Sequence, residues 1–312
     1  YVSVMAKSDR QNNLALWFGA PDLPAAPHRT WKSRNFVNSG YAILSRGRGV
    51  DATWLCCKHG PHGGGHGHPD KLNFVLTAKN KALGLDAGTC KYGLPVRAGW
   101  YKTTFSHNVL TVDEAEQAPA QGRLRAFGET GGVDCCIAES GPIYEGVRHL
   151  RGIALVDEET ILFADRVVCT APRLLDIVYH QRGVWSDIPE GAEWGCPDKP
   201  GYRYLQDARA RVVSGAVLGL DVGGGLTTSV VLAPGTETEL MTATGMGDHL
   251  EDRVPVVVFR RRAQETVFVW GISLTGERLD LRSEADGGRV TIWIRGKRLV
   301  LTLGDCLYGF GT

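Results

Sequence analysis

The stretch IALVDEETILFADRVV, residues Ile153–Val168, decides the fold. Two runs of apolar and β-branched residues flank the acidic triplet Asp157-Glu158-Glu159, which reads as a tight turn between two strands. Working outward, the same texture recurs in YAILSRG, ATWLCCK, KLNFVLTA, KALGLDAG, HNVLTVDE and DCCIAES on the N-terminal side. On the C-terminal side it continues through LLDIVYH, ARVVSG, LTTSVVLA, VPVVVFRRR, ETVFVWGIS and RVTIWIRGKRLVLTL. Gly, Asp and Asn turns separate these runs, and after Gly40 no 3.6-residue apolar stripe exceeds two turns. The expectation is an all-β protein, a large antiparallel multi-sheet β-sandwich. Only Asn12–Phe18 (NNLALWF) reads as the tail of a helix, ended by Gly19 and the proline-rich stretch Pro21–Pro27. Residues 1–30 are therefore expected to close a preceding helical region and linker, and residues 31–312 to form one β domain.

Thirty-five basic and 34 acidic residues leave a net charge of +1. This balance argues against a general nucleic-acid binder, yet allows a local basic cleft for an acidic ligand. No apolar run is long enough for a membrane helix. The chain opens on Tyr1 without a leader and reads as a piece of something longer. Its eight cysteines form no CxxC pair, so buried free thiols are expected. Adjacent strand residues point to opposite faces, so at most one each of Cys56-Cys57 and Cys135-Cys136 should lie in the core. Arg260-Arg261-Arg262 reads as a solvated strand edge, and Trp185, Trp270 and Trp293 as core. Asp221–Leu226 (DVGGGL) lacks the Lys-Ser/Thr of a phosphate loop and reads as a turn.

The chemistry concentrates in KHGPHGGGHGHPD, residues 58–70, where four of the nine histidines fall within ten positions. In an extended chain His66 and His68 would share one face, about 7 Å apart. They could chelate one ion together, or one could bind metal while the other faces a cleft. Asp86, in LGLDAGT, and His107, in TFSHNVLTVD, are the next candidate ligands. Two imidazoles and a carboxylate suit Zn²⁺ or Mn²⁺. From residue types alone, a lone histidine pair in a Gly-rich loop is more often surface decoration.

The wider string resembles the β-sheet domain of the heparinase II/III-like polysaccharide lyases. That family's wording is a GxHGHxDxLxF strand, a DxGTxxY turn and an HNTVxVDGxxQ strand. Here these fall at Gly64–Phe74, Asp86–Tyr92 and His107–Gln117. Val109-Leu110 replace the family's Thr-Val, and Glu114 stands where glycine is usual. The resemblance covers roughly residues 35–270, including NSGYAILSRG and DIVYHQRG. It implies a structural ion, usually Zn²⁺, on His68, Asp86 and His107, with Mn²⁺ as the alternative. It implies His66 as the active-site histidine, with Tyr92 and Tyr101 as candidate catalytic tyrosines and His180 near the cleft, although a hydrogen-bonded structural histidine is the commoner reading of His180. Arg97 and Lys102, with Arg46, Arg48 and Lys58, flank the motif and could meet sulfate or carboxylate groups, or be ordinary surface charges.

The implied activity is β-elimination from a uronate-containing acidic polysaccharide, in a periplasmic or secreted setting. Removing the proton at C5 places charge on the neighbouring carboxylate, which a donor such as a protonated histidine stabilises. A base takes the proton and an acid, typically Tyr, protonates the departing O4. Related members place an N-terminal α/α toroid opposite the sheet domain, where it supplies part of the site. The chain shows no such helical repeats, so weak lyase activity in isolation is expected. The alternatives are a uronate C5-epimerase and a non-catalytic, metal-containing carbohydrate-binding module.

Overall fold

The computed structural model describes residues 31–187 and 190–312; the expected helix tail and its linker lie outside them. The Ile153–Val168 turn is present as expected. Strands Val147–Leu155 and Thr160–His180 pair antiparallel, with Leu155 opposite Ile161. The Asp157 carboxylate accepts the Glu159 N–H at 2.9 Å across the turn. Thr160–His180 and Arg253–Ser273, each 21 residues long, run side by side as the spine of a twelve-stranded sheet. A five-stranded sheet covers one face, in the order Arg34–Phe36, Tyr41–Arg46, Thr53–Lys58, Phe74–Ala78, Lys81–Gly84. A four-stranded sheet, Arg282–Asp286 through Tyr308–Gly311, covers the other.

Strand alternation builds both cores at once. Ile161 and Phe163 face the five-stranded sheet, whereas Leu162 and Ala164 face the four-stranded one. The first core centres on Trp270, stacked on Phe163 with centroids 4.0 Å apart and planes 10° apart. A third cluster holds Trp100, Tyr101, Phe105 and Tyr202 against Val178 and Val256.

Three expectations are overturned. Cys135 and Cys136 are both fully buried, because each face of their strand has its own core. Cys56 and Cys57 do behave as alternation predicts, one half-buried and one buried, and all eight thiols are free. Arg260 and Arg261 are not a solvated edge: both are buried mid-strand, Arg260 paired on both sides and Arg261 with Leu175. Arg260 makes a bidentate ion pair with Asp176 at 2.7 Å, and Arg261 donates to Thr238 Oγ1 and the Val267 carbonyl. Of the three tryptophans, only Trp270 is core; Trp185 and Trp293 are half-buried. No described helix is long and apolar enough to cross a membrane.

Candidate metal centre and cleft

The site forms at one end of the five-stranded sheet, where Thr53–Lys58 ends, Phe74–Ala78 begins and Lys81–Gly84 ends. The glycine-rich loop between the first two does not stay extended. Gly64–His66 closes a 3-10 turn entered through Gly63 at φ 90°. Gly67 must be glycine for space, since a Cβ there would meet the His62 carbonyl at 1.9 Å. The turn leaves His66 exposed and His68 half-buried, rather than side by side on one strand face.

Asp86 and His107 meet directly, His107 Nδ1 against Asp86 Oδ1. Their charges reinforce one another. Burial opposes both, but each partner more than offsets it, holding Asp86 low and His107 high. The His68 ring lies 5.3 Å from that of His107, and burial, then His107, push its pKa down to about 4. A neutral imidazole is the form that ligates metal. Asp70, Asp86 and His107 each offer a ligand atom within 4.8 Å of one another. The sequence reading had not singled out Asp70, whose carboxylate also takes Lys58 at 2.7 and 2.8 Å. Among the described residues His107 Nε2 is buried without a hydrogen-bond partner, an uncommon state for a buried polar atom. Imidazole nitrogens, carboxylate oxygens and this orphaned atom fit a Zn²⁺-type donor set.

Asparagines lock the arrangement. Asn73 Nδ2 donates to Asp86 Oδ1 at 2.9 Å, and its Oδ1 accepts the Asn108 N–H at 2.9 Å. Asn108 Nδ2 donates to the carbonyls of Phe74 and Leu85, and its Oδ1 accepts the His180 N–H. Gln117 Oε1 accepts the Lys71 N–H at 2.7 Å. All three lie inside the quoted motifs, yet the sequence reading gave them no role. The signal was there in Asn73, a polar residue opening the apolar run LNFVL.

Beside the donors opens a cleft of about 340 Å³, lined by His66, His68, Asp70, Asn73, Asp86 and Lys58 among others. Tyr92, Arg97 and Lys102 stand outside this lining. Tyr92 is 70% exposed with the Arg97 guanidinium 4.2 Å from its ring centroid, and Lys102 Nζ reaches the Gly65 carbonyl at 3.3 Å. Tyr101 and His180 are not brought to the cleft. Tyr101 is fully buried with its hydroxyl unpartnered, and burial raises its pKa. His180 is buried edge-on to Trp100 and Phe105, and burial, then His107, push its pKa down to about 3.

An exposed histidine beside a buried histidine paired with a part-exposed aspartate, on a multi-sheet β-sandwich, defines a sheet domain with an open cleft. The family described as Heparinase II/III-like, C-terminal, matches residues 28–243, and the chain belongs to it. Heparin-sulfate lyase from Bacteroides stercoris is 25% identical over 151 residues, which is 47% of this chain and 22% of that protein. Heparin-sulfate lyase from Pedobacter heparinus is 26% identical over 160 residues, 50% of this chain and 24% of that protein. Among solved structures, heparan sulfate lyase HepC from Pedobacter heparinus superposes with TM-score 0.71 at 18% identity. That match covers 98% of this chain and 48% of the other, so the chain spans about half the length of this structural relative.

Proposed function

We propose that this chain is the sheet half of a polysaccharide lyase that cleaves a uronate-containing acidic polysaccharide by β-elimination. The observation that carries the reading is the exposed position of His66 over the cleft, beside an Asp86–His107 pair that is locked from behind. Heparin-sulfate lyases among its relatives support an acidic polysaccharide as substrate and a secreted or periplasmic setting.

Asp70, Asp86 and His107 lie close enough together to share an ion, and His68, whose ring is 5.3 Å from that of His107, would complete the set. When bound, Zn²⁺ (or Mn²⁺) supplies a fixed charge that cross-links the loops of residues 58–74, 84–90 and 102–109. His66 works on the solvent side. As an imidazolium it donates to the substrate carboxylate, whose negative charge otherwise keeps the C5 proton from leaving. As an imidazole it can accept that proton; either role needs only an exposed ring on a fixed loop. Gly67 and the Gly63–Gly64 turn permit the tight shape of that loop. Tyr92, Arg97 and Lys102 form an aromatic and cationic shelf outside the cleft, suited to sugar rings and sulfate groups.

The test is the absorbance of the new carbon–carbon double bond in unsaturated uronate, with heparan sulfate as substrate. The complete protein containing this domain should generate it, and His66→Ala should abolish it while retaining the fold. C5 inversion without that absorbance would mean an epimerase. Unaltered turnover in His66→Ala would remove His66 from the chemistry.

A further inference from the structure

We propose that Arg151 is a positioning residue for the metal centre: one buried guanidinium clamps two of the three loops that carry the candidate ligands. The inference rests on the metal reading above and adds a residue that lies in none of the motifs. Arg151 is fully buried in the long hairpin, and its Nη1 donates to two backbone carbonyls at once, Leu72 at 2.8 Å and Asn108 at 2.6 Å. Leu72 follows Asp70 and Lys71 and precedes Asn73, the residue that holds Asp86. Asn108 follows His107 directly. The clamp therefore acts one residue away from His107 and, through Asn73, on Asp86.

Leu72 gives the clamp a mechanical purpose. Its φ of 62° is left-handed, a conformation that side-chain-bearing residues adopt at a cost. Its N–H donates to the Lys58 carbonyl at 3.0 Å, and its carbonyl faces Arg151. Release of that carbonyl would let the turn relax toward ordinary backbone, rotating Asn73 off Asp86. Arg151 is itself fixed from behind. Its Nε donates to Asp165 Oδ1 at 2.6 Å, the same oxygen takes His149 Nε2 at 2.8 Å, and Asp165 Oδ2 takes Trp270 Nε1 at 3.1 Å. With His149 neutral, the cluster carries one positive and one negative charge, so the core holds no net charge.

Three variants of the complete protein test this. Arg151→Met with Asp165→Leu removes the clamp without stranding a charge. Arg151→Lys keeps the charge but replaces the fork by one ammonium. Trp270→Phe disturbs the same cluster without touching either turn. Zn²⁺ affinity is read by competition with a chromophoric chelator, and the hydrogen exchange of the Asn73 and Asn108 amides is read alongside. The double variant should bind Zn²⁺ about 10–100-fold more weakly. Arg151→Lys should fall between it and wild type, and Trp270→Phe should bind normally. Exchange at Asn108, whose N–H is held by Asn73, should quicken in the same order. Unchanged affinity and exchange in folded Arg151 variants, or an equal loss in Trp270→Phe, would overturn the role. If the double variant does not fold, Arg151→Lys against Trp270→Phe decides. If wild type binds no Zn²⁺, the metal reading fails on its own. The exchange rates then decide the clamp, with equal rates in Arg151→Lys and Trp270→Phe overturning it.

Discussion

Asn73 and Asn108 are joined side chain to backbone at 2.9 Å, and through that contact the two halves of the metal centre share one frame. Asn73 holds Asp86, while Asn108 follows His107 and ties the strand ends at Phe74, Leu85 and His180 together. The frame is made of buried polar groups with specific partners, so its loss should be costly and local.

Asn108→Ala would orphan the buried carbonyls of Phe74 and Leu85 and the His180 N–H. Each orphaned group costs roughly 1–3 kcal/mol, with partial relaxation, so a loss of about 3 kcal/mol is expected. Urea unfolding measures it. A loss below about 1 kcal/mol would mean that water replaces the asparagine.

Arg260→Met should destabilise the protein by roughly 3–5 kcal/mol, because it leaves the buried Asp176 charge without its bidentate partner. Adding Asp176→Leu should recover much of the loss, since the pair then leaves together. If the single and double variants unfold alike, the ion pair is not what holds this region.

His149 sets a pH dependence. Burial pushes its pKa below the ordinary value, only partly offset by Asp165, so it is neutral when folded. The unfolded chain therefore binds the extra proton, and stability should fall as the pH drops through about 6.5. Asp165 works in a lower window. Burial alone would raise it, but Arg151 and His149 hold it down to about 2, so its contribution persists above about pH 4 and is lost between there and 2. His149→Gln should flatten the stability curve between pH 7.5 and 5.5 relative to wild type (both bounds being about one unit from the reference value). Parallel curves would show that His149 does not titrate on unfolding.

Tyr92→Ala changes an exposed group and Arg97→Ala a half-buried one over its ring, so stability should move by no more than about 1 kcal/mol. Retention on a heparan sulfate column should nevertheless shift to lower salt. Identical elution of both variants and wild type would remove the shelf from substrate binding.

The strands were legible because β-branched runs and Gly-Asn-Asp turns are local signals, and the Ile153–Val168 hairpin shows it. Less legible was what lies on each side of a strand. Cys135-Cys136 and Arg260-Arg261 obey alternation, but nothing local says that the central sheet is covered twice, so both members of each pair are buried. The polar strand Arg282–Asp286 carries no apolar pattern and gave no signal. At the site, residue types pointed to His66, His68, Asp86 and His107, and the glycines hinted at a turn. Asp70 hid behind its salt bridge with Lys58, and Arg151 acts across 79 residues on Leu72, a distance that no motif spans.

The division of labour between His66 and His68 is the centre of this account, and metal analysis of purified protein tests it most directly. Wild type and His66→Ala should each carry about one Zn²⁺ per chain, while His68→Ala should carry almost none. Loss of the ion in His66→Ala as well, or its full retention in His68→Ala, would contradict the assignment of the two histidines to separate tasks.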